Sequence, residues 1–180
     1  MQPIFTCLIA LQFAVIVIHD FVDIPGWSHG AQVRSTVGRN KLWIATAINA
    51  IFPGITVTLA VWFWNAPKPN FVTNYWLIYC AITLTSVFAM WYIPYFFGAT
   101  EQKRRDYEQM YAGTRHILPP RGSNPRPNLL HVCFHVLFAV NFVLAIAIRF
   151  SMPEGMPSQS RLRWDHLDTT AEVSLLLRHH

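Results

Sequence analysis

The feature that most constrains this chain is an apolar run of 22 residues, Leu129–Phe150, which carries no charge before Arg149. At about 1.5 Å per residue, a helix of this length crosses a bilayer core of about 30 Å. Three polar side chains interrupt the run: His131, His135 and Asn141. The two histidines are four residues apart, so a helix places them on nearly the same face. The run therefore predicts a transmembrane helix, and any chemistry of the chain is expected near its polar face.

The composition also indicates a membrane protein. The chain of 180 residues is 53% hydrophobic and 13% charged, whereas about a quarter of the residues in soluble domains are charged. The net charge of +5 is a weak sign of nucleic-acid binding, because most basic residues lie in loops between apolar segments. Membrane topology and anionic headgroups account for charges in such loops. The expected partners are membrane lipids, with a homo-oligomer or a larger membrane complex left open, and no nucleic acid.

Four apolar segments predict an all-α fold, an integral membrane four-helix bundle of antiparallel spans. The spans are expected at about residues 2–21, 41–64, 71–97 and 129–150. They form one transmembrane domain, residues 1–150, and a mobile polar C-terminal tail is expected over residues 151–180. In the third loop, Thr100 can cap a short amphipathic helix over residues 101–112. We expect this helix to lie along the lipid headgroups.

The distribution of basic residues predicts the orientation of the chain in the membrane. Loops one and three carry most of the arginines and lysines that lie close to the spans. The positive-inside rule therefore places these two loops in the cytoplasm and both termini outside, as in a protein of the bacterial inner membrane. Arg149 and the arginines of the tail oppose this assignment.

Polar side chains of the four predicted spans gather in one half of the bundle, at the end that faces loops one and three. In chain order these residues are His19, Asn49, Tyr92, Tyr95, His131 and His135. The co-location depends only on helix direction and holds for either orientation in the membrane. Polar groups at membrane depth are costly, and they usually face an interior, a cavity or a pathway. The sequence therefore predicts a polar pocket in one leaflet.

The first functional hypothesis is a multi-pass membrane protein that binds a ligand or a partner without catalysing a reaction. The ligand would be lipid-like or small and apolar, and the pocket residues would be Asn49, Tyr92, Tyr95 and His131. An ordinary structural interpretation stays open, in which one histidine lies at the interface and the other bonds to a neighbouring helix.

The second hypothesis is a small membrane enzyme that performs acid–base or metal chemistry on a lipid-like substrate. Its candidate catalytic residues are His19, Asp23 and His135. The spacing of His131 and His135 also suits a metal ion, because both imidazoles can converge on it. This pair supplies two ligands only, and the residue after His131 is not glutamate, which excludes a zincin. A haem held by His19 and His135 is a further alternative, so the cofactor is unknown.

Overall fold

The computed structural model describes residues 1–151, which are mostly helical, so the predicted all-α class is confirmed. The helices are α1 (Gln2–Ile18), α2 (Gly30–Val37), α3 (Arg39–Trp62), α4 (Asn70–Val87), α5 (Ile93–Phe97), α6 (Glu101–Tyr111) and α7 (Leu129–Phe150). A π-helical turn, Phe88–Tyr92, joins α4 to α5, and two short antiparallel strands, β1 (Asp23–Ile24) and β2 (Ser28–His29), precede α2. The predicted mobile tail lies, apart from Ser151, outside the described residues.

Three helical segments are long and apolar enough to cross a membrane. They are α3 with 24 residues, the continuous segment Asn70–Phe97 with 28 residues, and α7 with 22 residues. Helix α1 is also apolar but has 17 residues, a length of about 26 Å that is at the lower limit for a span. The structure thus supports a membrane protein with three long apolar helices.

Helix α1 is shorter than the span predicted at residues 2–21, because the chain turns where His19 begins the loop. The Nδ1 atom of His19 lies 2.9 Å from the carbonyl oxygen of Val15 and 3.3 Å from that of Ile16. The Val15 carbonyl also accepts from the backbone N–H of His19 (2.9 Å), so the imidazole is an additional donor to the last carbonyls of the helix. Ser28 then donates its hydroxyl to the carbonyl of His19 (2.9 Å), which ties the turn to β2.

The apolar core is built from residues of α1, α3, α4 and α7. Its buried members are Phe5, Ile9, Ala60, Val72, Trp76, Tyr79, Cys80, Ala145 and Ile148. The rings of Phe5 and Trp76, both fully buried, lie 5.1 Å apart between their centroids. At the start of α1, Gln2 donates its amide to the carbonyl of Phe63 (2.8 Å), just past the end of α3. These contacts hold α1 against the longer helices.

A chain of buried polar side chains connects three of these helices. Asn141 of α7 donates to the side-chain oxygen of Gln12 in α1 (2.7 Å), and Gln12 donates to the hydroxyl of Tyr79 in α4 (2.7 Å). Without water at membrane depth, such groups find partners on neighbouring helices. The hydrogen bonds therefore fix the register of α7 and α4 against α1.

The π-helical turn ends two residues before Pro94, and the proline explains its position. Proline has no N–H, so it cannot donate to the carbonyl of Met90 four residues earlier, and its ring would clash with that carbonyl. Lys103 of α6 donates its ammonium group to the same carbonyl (3.2 Å). The widened turn places Trp91 and Tyr92 beside α7, and π-helical turns of this kind are frequent at functional sites.

Replacing the central member of the polar chain tests its contribution to stability. We expect Gln12→Leu to lower the free energy of unfolding by about 1 kcal/mol, because the polar groups of Tyr79 and Asn141 lose their partner. The double variant Gln12→Leu, Asn141→Leu should recover part of this loss, since it removes one stranded polar group. The measurement is unfolding of the protein in mixed micelles by titration with a denaturing detergent.

The matched control is Thr58→Val, whose exposed hydroxyl donates only to the carbonyl of Gly54 within its own helix. A Gln12→Leu variant as stable as this control would contradict the structural role of the polar chain.

Candidate functional site

A cavity of about 600 Å³ lies among α1, α3, α4 and α7, and we call it the membrane cavity. Its apolar lining consists of Ile16, Ile48, Phe52, Pro53, Ile78, Ile82, Val87, Met90, Trp91, Phe134 and Phe138. Its polar lining consists of His19, Asp20, Asn49, Tyr75, Tyr79, Thr83, Ser86, Tyr111, His131 and His135. This volume is in the range of small-molecule sites, which combine apolar walls with a few polar groups.

His19 and Asp20 form an ion pair at the edge of the membrane cavity, with 3.2 Å between His19 Nε2 and an Asp20 carboxylate oxygen. Because carbonyl oxygens accept hydrogen bonds only, the Nδ1 of His19 carries a proton toward Val15. Burial raises the pKa of Asp20, and the charge of His19 acts in the opposite direction. The ring nitrogen and the carboxylate oxygen are thus in direct contact at the edge of the cavity.

Asn128 fixes the orientation and the tautomer of His131. The Asn128 side-chain oxygen accepts from the backbone N–H of His131 (2.9 Å), while its amide nitrogen donates to the carbonyl of Trp27 (3.1 Å). The same oxygen lies 2.7 Å from Nδ1 of His131, so this nitrogen must be the donor. When the His131 ring is neutral, its Nε2 atom therefore carries the lone pair. This nitrogen is the one that can accept a proton.

Aromatic rings surround the imidazoles of the site. The ring of Trp91 lies 4.0 Å from that of His131 and 5.8 Å from that of His135, measured between centroids. His131 also makes edge contacts with Tyr111 (5.1 Å) and with His19 (5.9 Å). Burial, and to a lesser degree the charge of Asp20, raises the pKa of the Tyr111 hydroxyl, which therefore stays protonated. The arrangement brings three histidines within one aromatic enclosure.

Most of the residues that the sequence assigned to a site border the membrane cavity. Those that line it are His19, Asn49, His131 and His135. Tyr92 lies behind this lining, with its hydroxyl 3.2 Å from Nδ1 of His135. Tyr95 has a different position, because it donates its hydroxyl to the carbonyl of Pro119 (3.0 Å) and so holds the third loop.

Asp23 lies outside the membrane cavity. Its exposed carboxylate accepts from the backbone N–H of Ala31 (3.1 Å), in the first turn of α2. A carboxylate in this position satisfies a free amide and complements the helix dipole. The catalytic role assigned to Asp23 therefore stays a prediction, whereas Asp20 is the carboxylate next to His19.

The metal hypothesis gains no third ligand from the structure. The rings of His131 and His135 are 6.1 Å apart between centroids. Within residues 1–151, no group of three or more His, Cys, Asp or Glu side chains is arranged to hold a metal ion. Metal binding by His131 and His135 stays a prediction from their spacing.

Sequence reasoning missed three residues of the site: Trp91, Tyr111 and Asn128. Asn128 had a local signal, because it directly precedes the apolar run and asparagine is a preferred N-cap residue. Trp91 and Tyr111 resemble ordinary interfacial aromatics in the sequence, and only the tertiary contacts distinguish them.

Comparisons of this chain with protein-family models, with curated proteins and with solved structures gave no match.

Substitution of Asn128 tests the orientation of His131. We expect Asn128→Ala to lower the stability by about 1 kcal/mol, as for the loss of a helix cap. It should also let the neutral His131 ring populate both tautomers, because Nδ1 loses its acceptor. Nitrogen-15 NMR of the imidazoles in the detergent-solubilised protein measures this change.

The variant Asn128→Ser keeps a capping hydroxyl and should retain most of the stability. A wild-type His131 ring that carries its proton on Nε2 would contradict the proposed orientation.

Proposed function

We propose that this protein is a multi-pass integral membrane protein that binds an amphipathic, lipid-like molecule in the membrane cavity. The apolar part of the molecule would lie against α3, α4 and α7, and its polar group would lie near His19, Asp20 and His131. The observation that carries this proposal is the lining of one cavity by both kinds of surface, with the histidines at one end. Such a combination is typical of ligand sites.

The spans are proposed to form an antiparallel four-helix bundle, with α1 as its shortest member. The ring contact of Trp91 with His131 joins the end of one helical segment to the start of α7. The side-chain bond of Arg149 to Asn74 (2.6 Å) joins the opposite ends of the same two segments. This pair of contacts supports an antiparallel arrangement. The basic residues of loops one and three support a cytoplasmic location for both loops, in a bacterial inner membrane.

The shape of the membrane cavity suits an elongated ligand. Its lining extends from Tyr75 to Trp91, a helical rise of about 24 Å. The polar end lies near Trp91, because this ring contacts His131. Acyl chains and fused-ring lipids have such a length and a polar group at one end. The expected ligand is therefore a membrane lipid or a compound that resembles one.

The bilayer is the proposed source of the ligand. Ile48 of α3 is 58% exposed and Ile82 of α4 is 62% exposed, although both residues line the membrane cavity. Large apolar side chains on the surface of a span face lipid without cost. The cavity would therefore open sideways into the hydrocarbon layer, and a ligand would enter without crossing water.

A bulky side chain inside the membrane cavity should prevent binding. We expect Thr83→Phe, which adds a ring within the lining, to weaken binding of a dansyl-labelled fatty acid about tenfold, a loss of about 1.4 kcal/mol. Binding is measured in detergent micelles by energy transfer from tryptophan to the dansyl group. The Trp91→Phe variant shows how much of this energy-transfer signal comes from Trp91.

The control is Thr85→Phe, the same substitution two residues later at an exposed position outside the lining. Equal binding by the two phenylalanine variants would contradict a site in this cavity.

A second candidate function is an enzyme that transfers a proton at a carbon atom of the bound molecule. The observation in its favour is the orientation of His19 and His131 by neighbouring groups, since the base of an acid–base site is usually held by a third residue. His131 would accept a proton from the substrate carbon through Nε2, and the neighbouring His19–Asp20 pair would return a proton to the substrate.

Isotope exchange tests this second function. The purified protein, incubated with membrane lipids in D₂O, should introduce deuterium at a carbon position of one lipid, as detected by mass spectrometry. His131→Gln and Asp20→Asn should each lower the rate by about a hundredfold or more, the typical contribution of an acid–base group. His116→Gln, outside the membrane cavity, is the control. If no lipid gains carbon-bound deuterium after the incubation, the enzyme hypothesis is contradicted. The proposed binding function does not depend on this result.

A further inference from the structure

The segment that follows α6, residues 112–128, is irregular but held in place by many hydrogen bonds. Arg104 of α6 donates to the hydroxyl of Ser123 (2.8 Å), and Tyr107 donates to the carbonyl of Arg126. At the end of the segment, the N–H of Leu129 donates to the carbonyl of Arg115 (2.7 Å). The folded segment and α6 enclose a second cavity of about 460 Å³, which we call the loop pocket.

The loop pocket has an unbalanced positive charge. Arg104 and Arg126 both line it and are both partly buried, while its one lining carboxylate, Glu108, is exposed. Among the residues that the structure describes, the ion pairs are His19–Asp20 and Arg105–Glu101, so neither lining arginine has a carboxylate partner there. A partly buried cation has lost some of its hydration. A bound anion can compensate for this loss and stabilise the charge.

The hydrogen-bonding groups of the two arginines are also incompletely used. The Nε atom of Arg104 is buried and has no acceptor within residues 1–151. One N–H group of the Arg126 guanidinium donates a hydrogen bond to the carbonyl of Leu118, and the distance of 3.4 Å makes it a long one. Guanidinium groups have five donors in a planar fork that matches phosphate oxygens. The pocket therefore has donors of the type that phosphate recognition requires.

His116 lies in the same pocket, and the charge of Arg126 acts on its imidazole. Burial lowers the pKa of His116, and the charge of Arg126 lowers it further, although hydrogen bonds to backbone carbonyls at Pro127 and Arg126 act in the opposite direction. His116 is part of the pocket lining. A bound anion would offset the charge of Arg126, so His116 is an internal reporter of the occupant.

We propose that the loop pocket binds a phosphate group through the guanidinium groups of Arg104 and Arg126. This site is separate from the membrane cavity, although Tyr111 contributes to the lining of both. The pocket is formed by residues between the segment Asn70–Phe97 and α7, both long and apolar enough to cross a membrane, which places it at the depth of lipid headgroups. The phosphate group therefore belongs either to an anionic lipid or to a small molecule in the adjacent water.

The experiment uses the full chain in nanodiscs and distinguishes these two sources. In phosphatidylcholine nanodiscs, inorganic phosphate is titrated while NMR follows His116. In a second arm, phosphatidic acid replaces part of the phosphatidylcholine, and the lipid retained by the protein is measured by native mass spectrometry. We expect the pKa of His116 to rise in at least one arm. A rise with inorganic phosphate identifies a free anion, and a rise with phosphatidic acid alone identifies a headgroup.

Variants test whether the two arginines hold the phosphate. Arg104→Gln and Arg126→Gln should each weaken binding about tenfold. Arg105→Gln is the matched control, because Arg105 is the next residue of α6 but is exposed and paired with Glu101. If Arg104→Gln does not fold, Arg126→Gln and the wild-type titration still decide the outcome. An unchanged His116 in both arms, or an equal loss in the Arg105→Gln control, would overturn the proposal.

Discussion

The absence of water at membrane depth is the constraint on which this structure depends. A polar side chain there must find its partner within the protein, and unsatisfied groups cost several kcal/mol. Asn141 donates to the side-chain oxygen of Gln12, and Gln12 donates to the hydroxyl of Tyr79, so these hydrogen bonds join three helices. The side-chain oxygen of Asn141 has no partner within residues 1–151. Apolar packing alone would leave helices free to slide in lipid, whereas these bonds set their register.

The same constraint shapes the candidate site. His19 is held by backbone carbonyls and by Asp20, and His131 is held by Asn128, which is itself fixed by the carbonyl of Trp27. In each imidazole the Nδ1 atom is therefore engaged in a defined hydrogen bond beside the membrane cavity. Oriented polar groups at one end of an apolar space are typical of sites for amphipathic ligands, and the enzyme hypothesis assigns proton transfer to the same groups.

The sequence predicted the long apolar helices and the helix of the third loop, because hydropathy and capping are local signals. Helix α6 ends one residue before the predicted bound and is capped by Thr100, as expected. The conformation of the loops could not be predicted from local sequence. The Asp23 carboxylate accepts from the N–H of Ala31 in the first turn of α2, and Asn128 bonds to Trp27, which lies 101 residues earlier in the sequence. The position of Trp91 depends on a π-helical turn before Pro94, which a regular helical periodicity does not indicate.

A shared membrane cavity requires that His19 and His131 lie close together in a lipid bilayer, and this proximity can be measured directly. Solid-state NMR of protein with isotope-labelled histidine measures through-space transfer between rings, and His19→Gln and His131→Gln assign the signals. With ring centroids 5.9 Å apart, we expect a cross-peak between the two rings that disappears in each variant. Its absence in the wild-type protein would place the two histidines on separate surfaces and contradict a shared membrane cavity.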